Sequence, residues 1–147
     1  MAQVTVTPIV LKNVLFTVDV DDYAAHVSKV EFVPTPSNAT WKGLSPAAVF
    51  NGSGLSTWVC NIDGAQDWAT VKSLSRYLFA HEGESKTVKF QPQVGATSPA
   101  FTATLTIVPC TIGGGVDTVP TFTVTMQCAG KPVADFDNTP GTPNPAE

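Results

Sequence analysis

The chain has 147 residues, 43% of them hydrophobic and 14% charged, with a formal net charge of −4; this is one domain's worth of sequence with an ordinary content of core residues. It has no run of about 18 apolar residues, so no membrane-spanning helix is expected, and the acidic balance argues against the basic face of a DNA-binding footprint. So low a charge density implies surface hidden in an assembly, unless Ser and Thr cover it instead.

The first twenty residues, MAQVTVTPIVLKNVLFTVDV, lack the basic start and continuous apolar region of a signal peptide, which makes a cytoplasmic origin the expectation. Within them Val4, Val6, Val14, Phe16 and Val18 recur at period two, interrupted by Pro8 and by Lys12 and Asn13. One or two strands with a turn near Asn13 are predicted. Asp19, Asp21 and Asp22 follow. A calcium loop of the EF-hand kind needs Gly at its sixth place and Glu at its twelfth, where this chain has Ala24 and Val30; a solvated turn is expected.

Residues 27–33 place Val30 and Phe32 on one face and Lys29 and Glu31 on the other, the pattern of a half-buried strand. PTPSNAT (34–40) breaks it. Residues 41–57 are rich in Gly, Ser and small apolar side chains without a clear period, and read either as a strand pair around Asn51-Gly52 or as a long loop. Residues 56–62 alternate again, with Trp58, Cys60 and Ile62 facing one way, and are expected to lead directly into a helix.

That helix, at about 65–81 within the stretch 63–83, is the only convincing one. At about 100° per residue, Trp68, Val71, Leu74, Leu78 and Phe79 fall in one arc, with Lys72, Ser73 and Arg76 opposite. Asp63 or Asp67 suits its start, and Gly83 its end. A helix this short is marginal alone, so Trp68, Val71, Leu74 and Leu78 are expected to anchor it on a β-sheet.

After it, residues 86–91 alternate with Val88 and Phe90 inward. FTATLTIV (101–108) and TFTVTMQC (121–128) each set apolar residues against threonines. The linker PCTIGGGVDTVP suits a bend. KPVADFDNTPGTPNPAE, from Lys131 onward, has almost no apolar content; residues 133–147 are expected to form a flexible Pro-rich tail.

No catalytic constellation emerges. His81, Glu82 and Ser85 suggest a triad fragment, but no nucleophile elbow or oxyanion motif accompanies them. Gly113, Gly114 and Gly115 lack the GxxxxGK[ST] pattern of a phosphate loop. The triplets at Asn38 and Asn51 match the glycosylation acceptor, which is uninformative without secretion. Cys60, Cys110 and Cys128 are odd in number and show no CxxC spacing. Neither a disulfide framework nor a zinc site is expected, and the thiols act as small hydrophobes. Trp58 and Trp68 fall on predicted buried faces, leaving Trp41 as the one exposed candidate for stacking, with core or interface packing the better reading of it. No enzymatic activity, metal or cofactor is expected.

The order of elements, and above all AQDWATVKSLSRYLFAHEGESKTVKFQP followed by PAFTATLTIVPCTIGGGVDTVPTFTVTMQCAGKP, resembles the major tail tube proteins of long-tailed (siphovirus-type) bacteriophages, in the versions from phages of actinobacterial hosts. The likeness covers about residues 55–132, with weaker likeness before. It rests on a single helix with a central SL…L, the Gly83 exit into the Val88/Phe90 strand, the Gly-rich bend before VDTV, and a closing strand that reaches Gly130-Lys131-Pro132.

The resemblance implies a mostly β fold: an antiparallel β-sandwich over 1–132 with one flanking α-helix, assembled as stacked hexameric rings whose sheets close around a lumen. It implies a structural virion protein of the tail, made in the host cytoplasm. Double-stranded DNA would pass through without specific binding, and tape-measure and tail-terminator proteins would be partners. No further immunoglobulin-like domain is expected after the Pro-rich tail. Trp41, Phe50, Gly113, Gly114 and Gly115 are the candidate subunit contacts. Other readings are a different virion β-sandwich protein, such as a tail terminator or head decoration, and a carbohydrate-binding or adhesive module with an exposed aromatic platform.

Overall fold

Strict alternation is what the fold turns into sheets. In the strand Thr121–Gln127, Phe122, Val124 and Met126 are buried while Thr121, Thr123, Thr125 and Gln127 are exposed, as period two requires of a strand with one face on a core. The computed structural model describes residues 2–94 and 98–136. Its strands in chain order are β1 (Leu15–Val18), β2 (Asp21–Asp22), β3 (Val27–Thr35), β4 (Asn38–Lys42), β5 (Val49–Ser53), β6 (Thr57–Ala65), β7 (Ser85–Gln91), β8 (Ala100–Thr106), β9 (Thr121–Gln127) and β10 (Val133–Asp135). One α-helix, α1 (Leu74–Ala80), and a 3-10 turn at Ala24–His26 complete the elements.

All strand pairs are antiparallel. One sheet has the order β10-β8-β7-β1-β2 and a second has β3-β6-β9; β4 and β5 pair only with each other. The two larger sheets face one another across a shared core. Phe16, Val18, Val88, Phe90, Ala103 and Leu105 come from the first; Cys60, Ile62, Phe122, Val124 and Met126 come from the second. The protein is thus a mostly β, sandwich-like antiparallel fold with a single helix.

The sheets are also joined through the backbone along one flank. Beyond β9, the Cys128 N–H donates to the Trp58 carbonyl (3.0 Å) and Cys128 lies opposite Leu105 of β8. The Ala129 N–H then donates to the Thr104 carbonyl (2.9 Å), and β10 continues along the same strand, Val133 opposite Thr102. A single run of chain therefore leaves one sheet and enters the other. The expected tail begins later than its composition suggests: Val133, Ala134 and Asp135 are sheet residues, and 137–147 lie outside the described residues.

The helix is shorter than its apolar arc implies. It starts at Leu74, because Ser73 sits in an extended conformation and its Oγ accepts from the Arg76 N–H (3.3 Å). Asp67, an expected cap, is engaged one turn earlier: its Oδ1 accepts from the N–H groups of Ala69 (3.0 Å) and Thr70 (3.1 Å), a local turn that competes with helix. Residues 66–73 are consequently irregular. Leu74 and Leu78 are buried as expected, but Val71 (79% exposed) and Phe79 (60% exposed) point to solvent, and Ser73 and Ser75 are buried. With two apolar side chains fully buried, α1 contributes about 3–6 kcal/mol gross of burial. The helix ends at its cap residue His81, whose N–H donates to the Tyr77 carbonyl (3.0 Å). Gly83, two residues on, has the expected left-handed backbone (φ +82), but its N–H donates to the Ile107 carbonyl (2.9 Å) and it does not cap the helix.

Two further expectations are corrected. Residues 2–13 form no strand and are exposed throughout; β1 begins at Leu15. Asn51 and Gly52 are not a turn but lie within β5, opposite Thr40 and Ala39. The hairpin reverses at residues 43–48, where the Gly43 N–H donates to the Ala48 carbonyl (2.6 Å). No helix among the described residues is long and apolar enough to cross a membrane.

Candidate functional site

The residues singled out for chemistry do not converge. His81 Nδ1 lies 2.9 Å from Glu84 Oε2, so its carboxylate partner is neither Glu82 nor a base for Ser85. That hydrogen bond is the main reason the Glu84 carboxyl titrates below its usual range. The His81 ring packs on Tyr77 with centroids 4.3 Å apart. Burial, reinforced by Asp19, pushes the Tyr77 hydroxyl up to about 12, and this hydroxyl is buried without a hydrogen-bond partner among the described residues. A phenol so placed is a poor proton donor or acceptor near neutrality. Among the described residues no group of three or more His, Cys, Asp or Glu is arranged to hold a metal ion.

The three cysteines are free thiols. Cys60 is fully buried, and burial pushes its thiol up to about 12; Cys128, half-buried, is raised by the same cause. The thiolate is the reactive form. Alkylation of the native protein should therefore modify Cys128 before Cys60, and denaturing, non-reducing alkylation should modify all three thiols. Mass spectrometry of peptides reads both, and prior labelling of Cys60 would contradict the packing.

What the fold does display is unsatisfied sheet and apolar surface. The three-stranded sheet ends in long strands on both sides, nine-residue β3 and seven-residue β9, whereas β2 and β10 at the ends of the other sheet have two and three residues. Its outward face is polar and cross-linked. Lys29 pairs with Glu31 (3.3 Å), Asn61 Nδ2 donates to Glu31 Oε1 (3.2 Å), and Thr125 Oγ1 donates to Asn61 Oδ1 (2.8 Å). The Asn61 hydrogen bond, then Lys29, holds the Glu31 carboxyl below its usual range.

The β4–β5 hairpin projects from this body. Apart from Gly52, all its strand residues are exposed. Trp41 and Phe50 sit directly opposite one another, 63% and 62% exposed, while the other face carries Thr40 Oγ1 donating to Asn51 Oδ1 (3.0 Å). An isolated two-stranded hairpin is marginally stable in water, and this one leaves an aromatic pair uncovered. Trp41, the exposed candidate of the sequence, and Phe50 thus both stand in solvent.

Gly113, Gly114 and Gly115 lie in an exposed loop between β8 and β9, with Gly113 at φ +97. This loop is pinned by a residue that sequence reasoning passed over. The buried Gln66 amide donates to the carbonyls of Gly113 (3.0 Å) and Thr121 (2.8 Å), and its Oε1 accepts from the Gly113 N–H (2.9 Å) and the Trp68 indole N–H (3.1 Å). Trp68, half-buried, is thus tied to the loop as well as to the core. No signal in the sequence marks Gln66, since a lone Gln between a strand and a helix resembles any surface residue. The hairpin and the glycine loop belong to separate elements, with no hydrogen bond between them among the described residues.

Neither a scan against models of protein families nor a search of curated proteins gives a match to this chain.

Proposed function

We propose that the chain is a non-catalytic structural subunit that assembles with copies of itself, as a major tail tube subunit in stacked hexameric rings. The observation that carries this reading is the pair of long end strands, β3 and β9, on one three-stranded sheet. Such edges invite pairing with another chain. Joining β3 of one copy to β9 of the next is a head-to-tail contact, which generates a ring when the rotation closes. Closure would place the Thr-rich face of β9, with Asn61 and the Lys29–Glu31 pair, on a continuous inner wall. A wall poor in net positive charge lets DNA slide, because phosphate binding needs clustered cations.

The exposed Trp41/Phe50 face of the hairpin then suits contact between rings. DNA passage, tape-measure and tail-terminator partners, and a virion tail location follow from the resemblance to tail tube proteins and belong to this same proposal.

Electron microscopy of the concentrated protein tests it, with rings or tubes around a lumen as the expected result. The double variant Trp41→Asp, Phe50→Asp should abolish stacking and leave the melting curve of the subunit within about 0.5 kcal/mol of the parent, since exposed side chains contribute little to folding. A species that stays monomeric at high concentration would overturn the proposal.

A further inference from the structure

The sandwich is not sealed at the flank where the chain changes sheets. Phe32 and Trp58 from the three-stranded sheet, and Phe90 and Phe101 from the other, leave a groove of about 480 Å³ between them, with Phe136 on its outer lip. The rings continue the core outward: Phe32 lies 6.2 Å from Phe90, and Phe101 meets Phe136 edge-on at 6.2 Å. Among the described residues, the one charged residue at the groove is Lys131. A cleft of this size is in the range that holds a ligand, but small-molecule sites add a few convergent polar groups to fix orientation. Here five of the eight lining residues are aromatic, with Pro132 and Ala134 beside them, which suits a run of aliphatic side chains.

The same chain carries such a run, equally uncovered. Residues 2–11, AQVTVTPIVL, hold no charge. Val4 and Val6 are 87% and 84% exposed, and residues 2–10 make no hydrogen bond to the rest of the described chain. Pro8 removes a backbone donor and keeps the segment extended rather than helical. In that conformation Val4 and Val6 project from one side, about 6.6–6.8 Å apart.

We infer that the groove receives the N-terminal arm of a second copy of this chain, with Val4 and Val6 inserted between the rings of Trp58, Phe101 and Phe136. The charge fits on both sides, an uncharged segment against a groove with a single cation at its rim. The second copy is the donor because, within one chain, Val4 and Val6 stand in solvent and no arm residue lines the groove. The area sets the strength. An aromatic ring buries about 150–250 Å² when fully covered, and these rings are already partly covered. One arm therefore hides on the order of several hundred Å² per partner, short of the roughly 800 Å² of a stable complex. A single arm contact is weak and holds only alongside others, so free subunits stay apart until further contacts form. The inference does not depend on a tube, since any head-to-tail array satisfies it.

The test places a photo-reactive benzophenone side chain at position 6 of the full-length chain and mixes light and isotopically heavy copies at assembling concentration. Mixed heavy–light cross-links from position 6 to residues 57–65 or 131–136 are expected. Phe136→Asp in the receiving copy, or Val4→Asp in the arm where folding is not at stake, should each lower their yield at least about tenfold. Cross-links confined to one chain, cross-links directed elsewhere, or a yield indifferent to both substitutions would overturn the inference. Electron microscopy of the same samples separates this outcome from the tube reading. Tubes without groove cross-links sink the arm contact alone; groove cross-links without tubes sink the tube alone.

Discussion

Phe16→Ala is expected to lower the unfolding free energy by about 3–5 kcal/mol, the range for deleting a fully buried large aromatic. Phe16 has no solvent exposure, stands opposite Phe90 in the β1–β7 pair, and its carbonyl accepts from the Tyr23 N–H at 2.7 Å. The cavity opens at the centre of a four-residue strand whose one other buried side chain is Val18. For a chain of this size the loss corresponds to a fall in melting temperature of about 6–20 °C. Phe79→Ala is the control: the ring is mostly exposed, so its removal should cost within about 0.5 kcal/mol. Equal effects of the two substitutions in chemical denaturation would mean that the core is assigned wrongly.

Gln66→Leu is expected to cost about 2–4 kcal/mol, although it adds apolar volume at a buried site. The substitution leaves the Gly113 N–H, the Trp68 indole N–H and the carbonyls of Gly113 and Thr121 without the partners that Gln66 supplies. A buried polar group stripped of its partner costs about 1–3 kcal/mol, and water reaching the exposed residues Gly113 and Thr121 and the half-buried indole keeps the total well below the simple sum. Hydrogen exchange distinguishes this mechanism from general destabilisation. The Gly113 amide should lose its protection selectively, ahead of amides in β7 and β8; a uniform loss across the sheets would contradict the clamp.

Where the sequence was legible, a local pattern coincided with a tertiary face. Phe122, Val124 and Met126 against Thr121, Thr123 and Thr125 could only be a one-sided strand, and so they are. Val4 and Val6 show the same period, yet no strand lies beside them; alternation reports that a segment can be half-buried, not that a partner exists. Asn51-Gly52 carries the strongest short hairpin signal, but pairing with Ala39 and Thr40 places it mid-strand, because the reversal is set by the hydrogen-bonded loop at Gly43 and Ala48. Val71 and Phe79 satisfied helical spacing while Asp67 diverted the first turn. The anchors Leu74 and Leu78 were legible, and so was Trp41 as an exposed candidate; the exposure of Phe50 opposite it was not. Gln66, the β10 pairing and the aromatic groove were not, since each depends on residues brought together from far apart in the chain.

The run of chain that changes sheets also sets an order of events during synthesis. β1 finds its partner β7 some seventy residues later, Val18 opposite Val88, and β6 waits about sixty residues for β9, Ile62 opposite Val124. Pairings of such sequence separation place folding toward the slow, millisecond-to-second end for small domains. On the ribosome, β3, β6 and the β4–β5 hairpin emerge and can associate early, but the three-stranded sheet lacks its third strand until residue 127 has left the exit tunnel. The outer edge of β8 is covered only when residues 128–135 follow. A nascent chain therefore carries an unfinished sheet for most of its synthesis, and the β9 edge exists only once both sheets have been stitched together.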